Sequence, residues 1–486
     1  MAILEGGRIK GGQNACKSAR EGLTLKRYAE AKGLPADFLR NLGVREKKDR
    51  QEYCLRIPYY DEENNEAAVR YRLTLFSDSR FPWKKGCKVT PYGFWRLKDA
   101  RQHGWIVLVE GESNAQTLWY NGFPALGIPG ATTWKPKWAE YLKDFERICV
   151  LQEPDVAGEG FVERIAASGL AERLSVVTLN GAKDANELYI KNRGGFKEEF
   201  LKALGSAEPY GRWKAVRDMD KAARLLKTCQ DIITSEDVLA LFLDDLRKVG
   251  VVGREDAACL LYLALTSRLL DTPVSVCIKG PSGAGKSFLL EKVLLFFPQE
   301  AYVYLTDSSS LALLYMEEPL SHRFLIFQEM PQRRNSRWEQ VLRVLLSEHR
   351  LRYQTVEETR SGRRPKTLQK EGPTGLIVTT TRARLNPENE SRMLPLVIRP
   401  TNEEIRRVLH SMTKEHKPPD TTRWQDFQKW LALNVRQVEI GFAETLADQI
   451  AIVDGRTARY FGMLLTLIRA HETRHDLVCR LLLEKK

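Results

Sequence analysis

Short apolar runs in the first half of the chain alternate with segments of helical length. The runs are Trp105 to Val109, Ala125 to Ile128, Ile148 to Leu151 and Leu174 to Leu179. This alternation is typical of a parallel α/β sheet, in which each buried strand is followed by a helix that returns the chain to the same edge. We therefore predict an open α/β domain over residues 101–202.

The segment before this domain has a different pattern. Leu23 to Leu42 shows helical spacing interrupted at Gly33-Leu34-Pro35, which predicts a short helical pair. Cys54 to Tyr59 and Ala67 to Phe76 alternate apolar and polar residues around an acidic turn, as β-hairpins do. We predict an α+β region over residues 23–100, preceded by a glycine-rich flexible arm at residues 1–22.

The second half of the chain predicts another α/β domain. An apolar run at Val274 to Ile278 precedes a glycine-rich loop, and two further runs, Phe324 to Phe327 and Gly375 to Val378, have the composition of strands. We place this domain at residues 271–415 and a helical domain at residues 416–486. Residues 203–270 are predicted to be a charged linker followed by a helical collar.

Composition sets the broad class. The chain has 486 residues, of which 43% are hydrophobic, and Lys plus Arg exceed Asp plus Glu by 76 to 63, giving a net charge of +13. That balance fits a phosphate-rich partner, although it also occurs in basic proteins with no such partner. The eight cysteines show no metal-binding spacing, and no run is apolar and long enough to span a membrane. We expect a cytoplasmic protein without a membrane partner.

The loop at residues 280–287 carries the most specific chemistry. Its sequence, GPSGAGKS, lies between a predicted strand and a predicted helix. Glycines at this spacing let main-chain N–H groups surround phosphates, while the lysine reaches their oxygens and the final hydroxyl can ligate Mg²⁺. The pattern predicts an ATP site with Mg²⁺. Its residues are Gly280, Gly283, Gly285, Lys286 and Ser287.

Three residues beyond this loop are candidates for ATP hydrolysis. Glu329 follows an apolar strand and is placed to act as the base that orients the attacking water. Thr380 ends a third strand, where its hydroxyl could sense the terminal phosphate. The order of these motifs resembles ring ATPases of the AAA+ and viral helicase type, and that resemblance makes Arg392 the arginine that reaches a neighbouring subunit's nucleotide. A plain surface arginine is the alternative.

Acidic residues follow three of the predicted strands in the first α/β domain. Glu110 follows the first strand, Glu153 and Asp155 follow another, and Asp184 follows the last. Because ligands bind outside the carboxyl ends of strands in open α/β sheets, these carboxylates could converge on a divalent metal. The alternative for each single residue is a turn or a helix cap.

The same acids carry a family resemblance. Glu110-Gly111, Glu153-Pro154-Asp155 and Lys183-Asp184 resemble the Toprim domain of bacterial-type primases, topoisomerases and some nucleases. Residues 23–190 as a whole are similar to the primase part of phage and mobile-element primase-helicases. The resemblance implies that Glu110 is catalytic and that Glu110, Glu153, Asp155 and Asp184 hold Mg²⁺ or Mn²⁺.

The chain departs from that family pattern in three ways. Glu153 stands where Asp is usual, and Asn114 replaces a carboxylate that usually follows the first glutamate. The Cys/His zinc module that usually precedes such primases is also missing from the pattern. We expect either a separate zinc-finger protein or a relaxed choice of template.

Two basic segments are candidates for contacts with nucleic acid. Residues 80–96 interleave cations with aromatic rings, which suits stacking on bases but also suits ordinary packing of rings in a core. Residues 360–366 form a predicted basic turn where ring helicases place pore loops, or a solvated loop. The candidate residues are Arg80, Lys84, Lys85, Arg363, Arg364 and Lys366.

Together these features predict a replication protein that combines a Toprim primase-like domain with an ATP-hydrolysing helicase. We expect it to form a ring, such as a hexamer, on single-stranded or forked DNA. Two alternatives stay open. One is an ATP-regulated Toprim nuclease, for example in defence against phage. The other is an ATPase motor whose degenerate Toprim domain only binds DNA. The nuclease alternative stays open because primer synthesis and cleavage use the same metal carboxylates.

Overall fold

The computed structural model describes residues 22–49, 52–75, 81–305, 316, 319–328, 336–359, 362–382, 387–413, 418–434, 439–453 and 456–483. The chain divides into two compact units, residues 1–217 and 218–486. Each unit is built on a five-stranded sheet whose order departs from the order of strands in the sequence. The predicted α/β class is therefore confirmed.

The first unit opens with two short helices, α1 (Leu25–Lys32) and α2 (Ala36–Asn41). The Thr24 hydroxyl accepts a hydrogen bond from the Arg27 N–H and so caps α1, which ends at Gly33 with φ of 67°. An antiparallel sheet follows, made of β1 (Arg45–Asp49), β2 (Glu52–Tyr60) and β3 (Glu66–Arg72). The helical pair and the hairpin agree with the sequence pattern.

The strand β1 could not be predicted from the hydrophobic pattern. It has the sequence Arg-Glu-Lys-Lys-Asp and lies at one edge of the sheet, paired only with β2. Charged residues on an edge strand hinder pairing with other chains, so the same feature that hides β1 from pattern analysis protects the edge.

The main sheet of the first unit is surrounded by helices. Its elements are α3 (Leu97–Gln102), β4 (Trp105–Glu110), α4 (Gly111–Tyr120), β5 (Ala125–Ile128), β6 (Arg147–Leu151), α5 (Val156–Ile165), β7 (Leu174–Val177), α6 (Ala185–Lys191), α7 (Phe196–Gly205) and β8 (Glu208–Pro209). The strand order is β5, β4, β6, β7, β8, in which the first four strands are parallel and β8 pairs antiparallel with β7. Apolar clusters cover both faces, as a sheet with helices on each side requires.

The division between the units falls inside a helix, α8 (Tyr210–Thr228). The predicted linker from residue 203 thus contributes the end of α7 and all of β8 to the first unit. Three helices of the second unit precede its sheet: α9 (Gln230–Thr234), α10 (Val238–Lys248) and α11 (Glu255–Thr266). They pack into the core of the second unit through residues such as Phe242 and Leu261.

The sheet of the second unit is wholly parallel. Its strands are β9 (Val276–Lys279), β10 (Tyr302–Leu305), β11 (Arg323–Phe327), β14 (Thr374–Thr380) and β15 (Leu394–Val397), and the antiparallel strands β12 (Leu351–Thr359) and β13 (Gly362–Lys370) form a separate hairpin. The strand order is β10, β11, β14, β9, β15. The helices are α12 (Lys286–Leu294), α13 (Ser336–Glu348), α14 (Pro387–Glu390), α15 (Asn402–Met412), α16 (Thr422–Asn434), α17 (Ala443–Gln449) and α18 (Thr457–Leu483).

The C-terminal helices do not stand apart from the second unit. Trp424 and Phe427 of α16 and Leu467 of α18 belong to the same apolar cluster as the sheet residues Val276 and Ile278. None of the helices in the described ranges is long and apolar enough to cross a membrane. Six of the cysteines within those ranges are free: Cys54, Cys87, Cys149, Cys229, Cys259 and Cys277.

Candidate functional sites

Glu110 lies at the carboxyl end of β4, where the chain turns directly into α4. Gly111 has φ of 73°, a left-handed conformation that favours glycine. Across the turn, a Cβ on Gly127 would lie 2.7 Å from the Gly111 carbonyl oxygen, so the close approach of β5 also needs a glycine. The tight β4 to α4 connection therefore holds Glu110 at the edge of the sheet.

The environment of Glu110 opposes its negative charge. Burial, followed by repulsion from the Glu153 and Asp155 carboxylates, raises the pKa of Glu110 to about 7. Its Oε1 atom is buried and has no hydrogen-bond partner. A buried carboxylate oxygen without a partner is costly, so this atom is a natural position for a cation or a proton.

The other three acids have partners in the chain. The Glu153 carboxylate pairs with Lys183 at 3.1 Å between Oε2 and Nζ. Asp155 caps α5 by accepting a hydrogen bond from the Gly158 N–H at 2.8 Å, and Asp184 caps α6 in the same way through the Glu187 N–H. Two of the four acids thus perform the capping role that is the alternative for an acid after a strand.

We call the four acids Glu110, Glu153, Asp155 and Asp184 the carboxylate edge. Oxygen ligands of this kind suit Mg²⁺ or Mn²⁺, and the unpartnered Oε1 of Glu110 fits a metal ligand. Across the described ranges, however, no three His, Cys, Asp or Glu side chains are grouped closely enough to hold a metal ion as they stand. The donor set therefore fits a divalent metal in kind, but its side chains are not arranged around one.

Asn114 serves a structural purpose at this edge. Its Nδ2 donates to the Glu110 main-chain oxygen at 3.0 Å, and its Oδ1 accepts a hydrogen bond from the Asn186 N–H at 3.1 Å. Asn186 in turn donates to the Lys32 carbonyl and to the Thr117 hydroxyl, each at 2.9 Å. Asn114 needs both a donor and an acceptor here, so it ties the end of β4 to α6 and α1.

Most rings of the aromatic stretch at residues 81–96 pack in the core. Tyr92 and Phe94 are buried, and Tyr92 contacts Trp95 with ring centroids 5.2 Å apart. Lys84 and Lys85 are exposed. Arg80 lies outside the described residues. The lysines remain available for phosphate contacts, whereas the two buried rings are not available for stacking on bases.

The glycine-rich loop of the second unit connects β9 to α12, as its sequence predicts. Gly283 and Gly285 have φ of 74° and 77°. A Cβ on Gly280 would lie 2.4 Å from the Ile398 carbonyl oxygen, so the first glycine is required by a close approach of the chain after β15. Lys286 is buried and donates from Nζ to the carbonyl oxygens of Gly280 and Pro281, at 2.9 and 2.8 Å.

The neighbouring strand β14 brings Thr380 to the base of this loop. The Gly280 N–H donates to the Thr380 carbonyl oxygen at 3.3 Å, and Thr380 is aligned with Lys279 in the parallel pairing. Lys279 itself is buried and pairs with Glu390. Ser287 is the second residue of α12. The structure thus gathers Thr380 and all the predicted phosphate-binding residues at one end of the sheet.

Of the other two candidates for ATP hydrolysis, Arg392 is described by the structure and Glu329 is not. Glu329 lies outside the described residues, two positions beyond the end of β11. Arg392 donates from Nε to the Ser347 hydroxyl at 2.8 Å and from Nη1 to the Glu388 carbonyl oxygen. Burial and the nearby Arg459 and Arg343 lower the pKa of Arg392. Within its own chain Arg392 is therefore engaged and lies among other arginines.

The basic segment of the hairpin lies on a strand and not in a turn. β12 extends to Thr359 and β13 begins at Gly362, so Arg363, Arg364 and Lys366 all lie on β13. Arg363 and Arg364 are in register with Glu358 and Glu357 of β12. The predicted turn at residues 360–366 was too long, because the charged residues at the start of β13 show no hydrophobic alternation that would mark them as strand.

Residues 225–418 match the family model of the MTBMA_p00010 P-loop domain. The second unit contains a P-loop domain. The loop 280–287 lies within the matched residues. The match begins within α8 and so includes the helices α9 to α11 that precede the sheet.

Further similarities connect the chain with phage and primase proteins. The gene 57 protein of Mycobacterium phage D29 is 27% identical over 139 residues, which is 28% of this chain and 89% of that protein. The primase fragment of the bacteriophage T7 primase-helicase is similar at 23% identity over 36% of this chain and 72% of that one, with a TM-score of 0.30. The RNA polymerase domain of Mycobacterium tuberculosis primase DnaG is similar at 12% identity over 43% of this chain and 82% of that one, with a TM-score of 0.34.

Sequence reasoning did not identify two cations at these sites. The sequence shows Lys183 only as part of a motif, and its pairing with Glu153 depends on how two loops meet at the sheet edge. Arg254 lies in a loop before α11, well before the P-loop in sequence, yet its guanidinium lies next to Gly285. No local spacing signals either contact, since both join segments that are distant in the chain.

Proposed function

We propose that this chain is a primase-helicase-like replication protein. The observation that carries the proposal is the combination, in one chain, of the carboxylate edge in the first unit and the P-loop in the second. The first unit would perform metal-dependent nucleotidyl transfer on single-stranded DNA. The second would hydrolyse ATP as a helicase or translocase, as part of a ring such as a hexamer.

In the P-loop domain, each proposed residue would have a separate role in ATP hydrolysis. Lys286 is held at the loop by two carbonyl oxygens and would exchange them for phosphate oxygens, where its charge stabilises the transferred group. Ser287 would hold Mg²⁺, and Thr380 lies at the base of the loop to contact the terminal phosphate. Glu329 is the proposed base and Arg392 the proposed ligand to a neighbour's nucleotide.

At the carboxylate edge, the buried Oε1 atom of Glu110 is an acceptor without a partner among the described residues. We place Glu110, Glu153, Asp155 and Asp184 around the divalent metal, which would supply charge stabilisation for phosphoryl chemistry. Binding there would relieve the repulsion among these carboxylates and require Lys183 to leave Glu153. Because the metal would replace the positive charge of Lys183 beside Glu153, this exchange is favoured only when the metal is present.

DNA would be held by cations on both units. Lys84 and Lys85 are exposed in the first unit, and Arg363, Arg364 and Lys366 lie on β13 in the second. Arg80 joins the proposal from sequence alone. The excess of 13 positive charges supports an acidic polymer as partner.

A specific observation favours a second candidate. The Lys183 ammonium pairs with Glu153, and the described residues hold no ready group of three metal ligands. Both features fit a Toprim domain that has lost its chemistry and binds DNA, with the P-loop domain as the only engine. An ATP-regulated nuclease would need the same metal as the primase.

Measurement of Mn²⁺ binding and of ATP hydrolysis separates these candidates. The primase-helicase proposal predicts that Glu110→Gln abolishes Mn²⁺ binding followed by electron paramagnetic resonance, while DNA-stimulated ATP hydrolysis persists. Lys286→Ala should give the reverse pattern. A parent protein that hydrolyses ATP but binds no Mn²⁺ in the absence of nucleotide would support the degenerate domain.

A further inference from the structure

A cavity of about 300 Å³ adjoins the P-loop in the second unit. Its lining includes Arg254 and Ala257 at the start of α11, Ile398 and Arg399 after β15, Arg407 of α15, and the acids Glu255, Asp256 and Glu404. Two of these residues lie beside loop glycines. Ile398 approaches Gly280, and Arg254 approaches Gly285, so the cavity meets the loop at both of its ends.

Arg254 is a charged group in this wall that lies beside the loop. Its guanidinium carbon and one terminal nitrogen lie 3.8 Å from the position of a Cβ built on Gly285. Gly285 immediately precedes Lys286, so the guanidinium borders the segment that surrounds the phosphates of a bound nucleotide.

One donor group of Arg254 is left without a hydrogen-bond partner among the described residues. Its Nη1 is buried and has no hydrogen-bond partner, and no ion pair of Arg254 occurs among the described residues. A buried cationic donor without a partner is costly, whereas a phosphate oxygen accepts from guanidinium N–H groups at favourable geometry.

The Glu404 carboxylate does not fill this need. Glu404 acts on Arg254 only at a distance, by a charge interaction that opposes the effect of burial, and burial leaves the pKa of Arg254 lowered. The Glu404 carboxylate accepts a hydrogen bond from the Thr401 N–H at 2.7 Å, as part of the capping box of α15. Its side chain packs against Gly253, with Cγ 3.3 Å from an added Cβ. Glu404 is thus committed to the helix cap.

We propose that Arg254 is a nucleotide ligand, binding a phosphate oxygen of the nucleoside triphosphate seated in the P-loop, with the cavity beside it receiving the rest of the nucleotide. This proposal rests on the proposed function of loop 280–287. It adds a second cation to that site, supplied by the segment before α11 and independent of Lys286.

The test compares binding of ATP and of inorganic tripolyphosphate by calorimetry. Arg254→Ala should weaken both about 10- to 100-fold, the loss expected for a charged hydrogen bond. Arg254→Lys keeps the charge but not the planar fork and should lose less. The matched control is Arg406→Ala, which removes an exposed arginine of α15 that does not line the cavity.

The melting temperature without nucleotide separates a ligand from a structural residue. Because Nη1 has no partner in the chain, Arg254→Gln should melt close to the parent without nucleotide and gain less from ATP. A variant that melts lower without nucleotide but binds ATP normally would overturn the proposal. Weaker binding of ATP together with unchanged binding of tripolyphosphate would also overturn the proposal.

The Lys286→Ala variant separates the role of Arg254 from the nucleotide-binding role of the loop. If Lys286→Ala weakens ATP binding and Arg254→Ala stays within about twofold of the parent, Arg254 is not a ligand and the P-loop assignment stands. If the parent binds neither compound, the nucleotide-binding role of the loop fails first, and the role of Arg254 falls with it.

Discussion

Replacement of Glu110 by Gln should stabilise the first unit at high pH and leave its stability unchanged at low pH. The pKa of the Glu110 carboxyl is raised from 4.5 to about 7 by burial and by its acidic neighbours. In the unfolded chain this group ionises near its ordinary value, so ionisation stabilises the unfolded state from a lower pH than the folded state. The resulting cost to folding stability is absent below about pH 4.5, grows as pH rises, and is complete above about pH 7.

The size of the effect follows from the shift. At about 1.4 kcal/mol per pKa unit the shift corresponds to about 3 kcal/mol for a fully buried group. The Glu110 carboxyl is partly exposed, so solvent screening lowers the expected gain to about 1 to 2 kcal/mol. For a unit of this size, each kcal/mol raises the melting temperature by about 2 to 4 °C.

Differential scanning calorimetry of the full chain at pH 5 and pH 8 measures this gain. The control is Glu172→Gln, which removes the same charge from an exposed position of the first unit. The melting temperature of Glu110→Gln should exceed that of the parent by more at pH 8 than at pH 5. Glu172→Gln should show no such difference. Added Mn²⁺ at pH 8 should stabilise the parent and not Glu110→Gln. A variant that is less stable than the parent at pH 8 would refute the electrostatic reasoning.

Three further changes test other parts of the account. Asn114→Asp should lower the stability of the first unit by about 1 to 3 kcal/mol, measured by urea unfolding, because it removes the N–H donor to the Glu110 carbonyl oxygen. Asn114→Ser is the smaller, neutral control. Gly280→Ala should destabilise the P-loop domain and abolish ATP binding in calorimetry, since its Cβ would meet the Ile398 carbonyl oxygen; unaltered binding would contradict the close approach. Arg363→Ala combined with Arg364→Ala should reduce the logarithmic salt dependence of single-stranded DNA binding by about 0.7 for each phosphate that is no longer neutralised, whereas an unchanged slope would remove the hairpin from the DNA surface.

The strands and the P-loop could be predicted because local patterns determine them. The run Val274 to Ile278 and the following glycines specify a buried strand and a phosphate-binding turn within one short segment. The order of the strands in the sheet, with β9 between β14 and β15, depends on contacts between distant segments and is not written in any local pattern.

The carboxylate edge shows what a motif leaves undetermined. The positions of Glu110, Glu153 and Asp155 after their strands follow from the sequence, and their mutual repulsion shows in the pKa of Glu110. The Lys183 contact and the role of Asn114 do not follow, because each depends on the side chains of another loop. Asn114 resembles a missing metal ligand when only the motif is considered, but its two hydrogen bonds give it a structural reason to be an amide.

Primer synthesis tests the central proposal most directly. The protein is incubated with single-stranded DNA, Mg²⁺ or Mn²⁺ and labelled nucleoside triphosphates, and the products are separated by length on a denaturing gel. The account predicts newly labelled short strands with the parent and with Lys286→Ala, and none with Glu110→Gln. Shortened template strands would instead show a nuclease, and a parent that hydrolyses ATP without making or cutting any strand would contradict a catalytic role for the carboxylate edge.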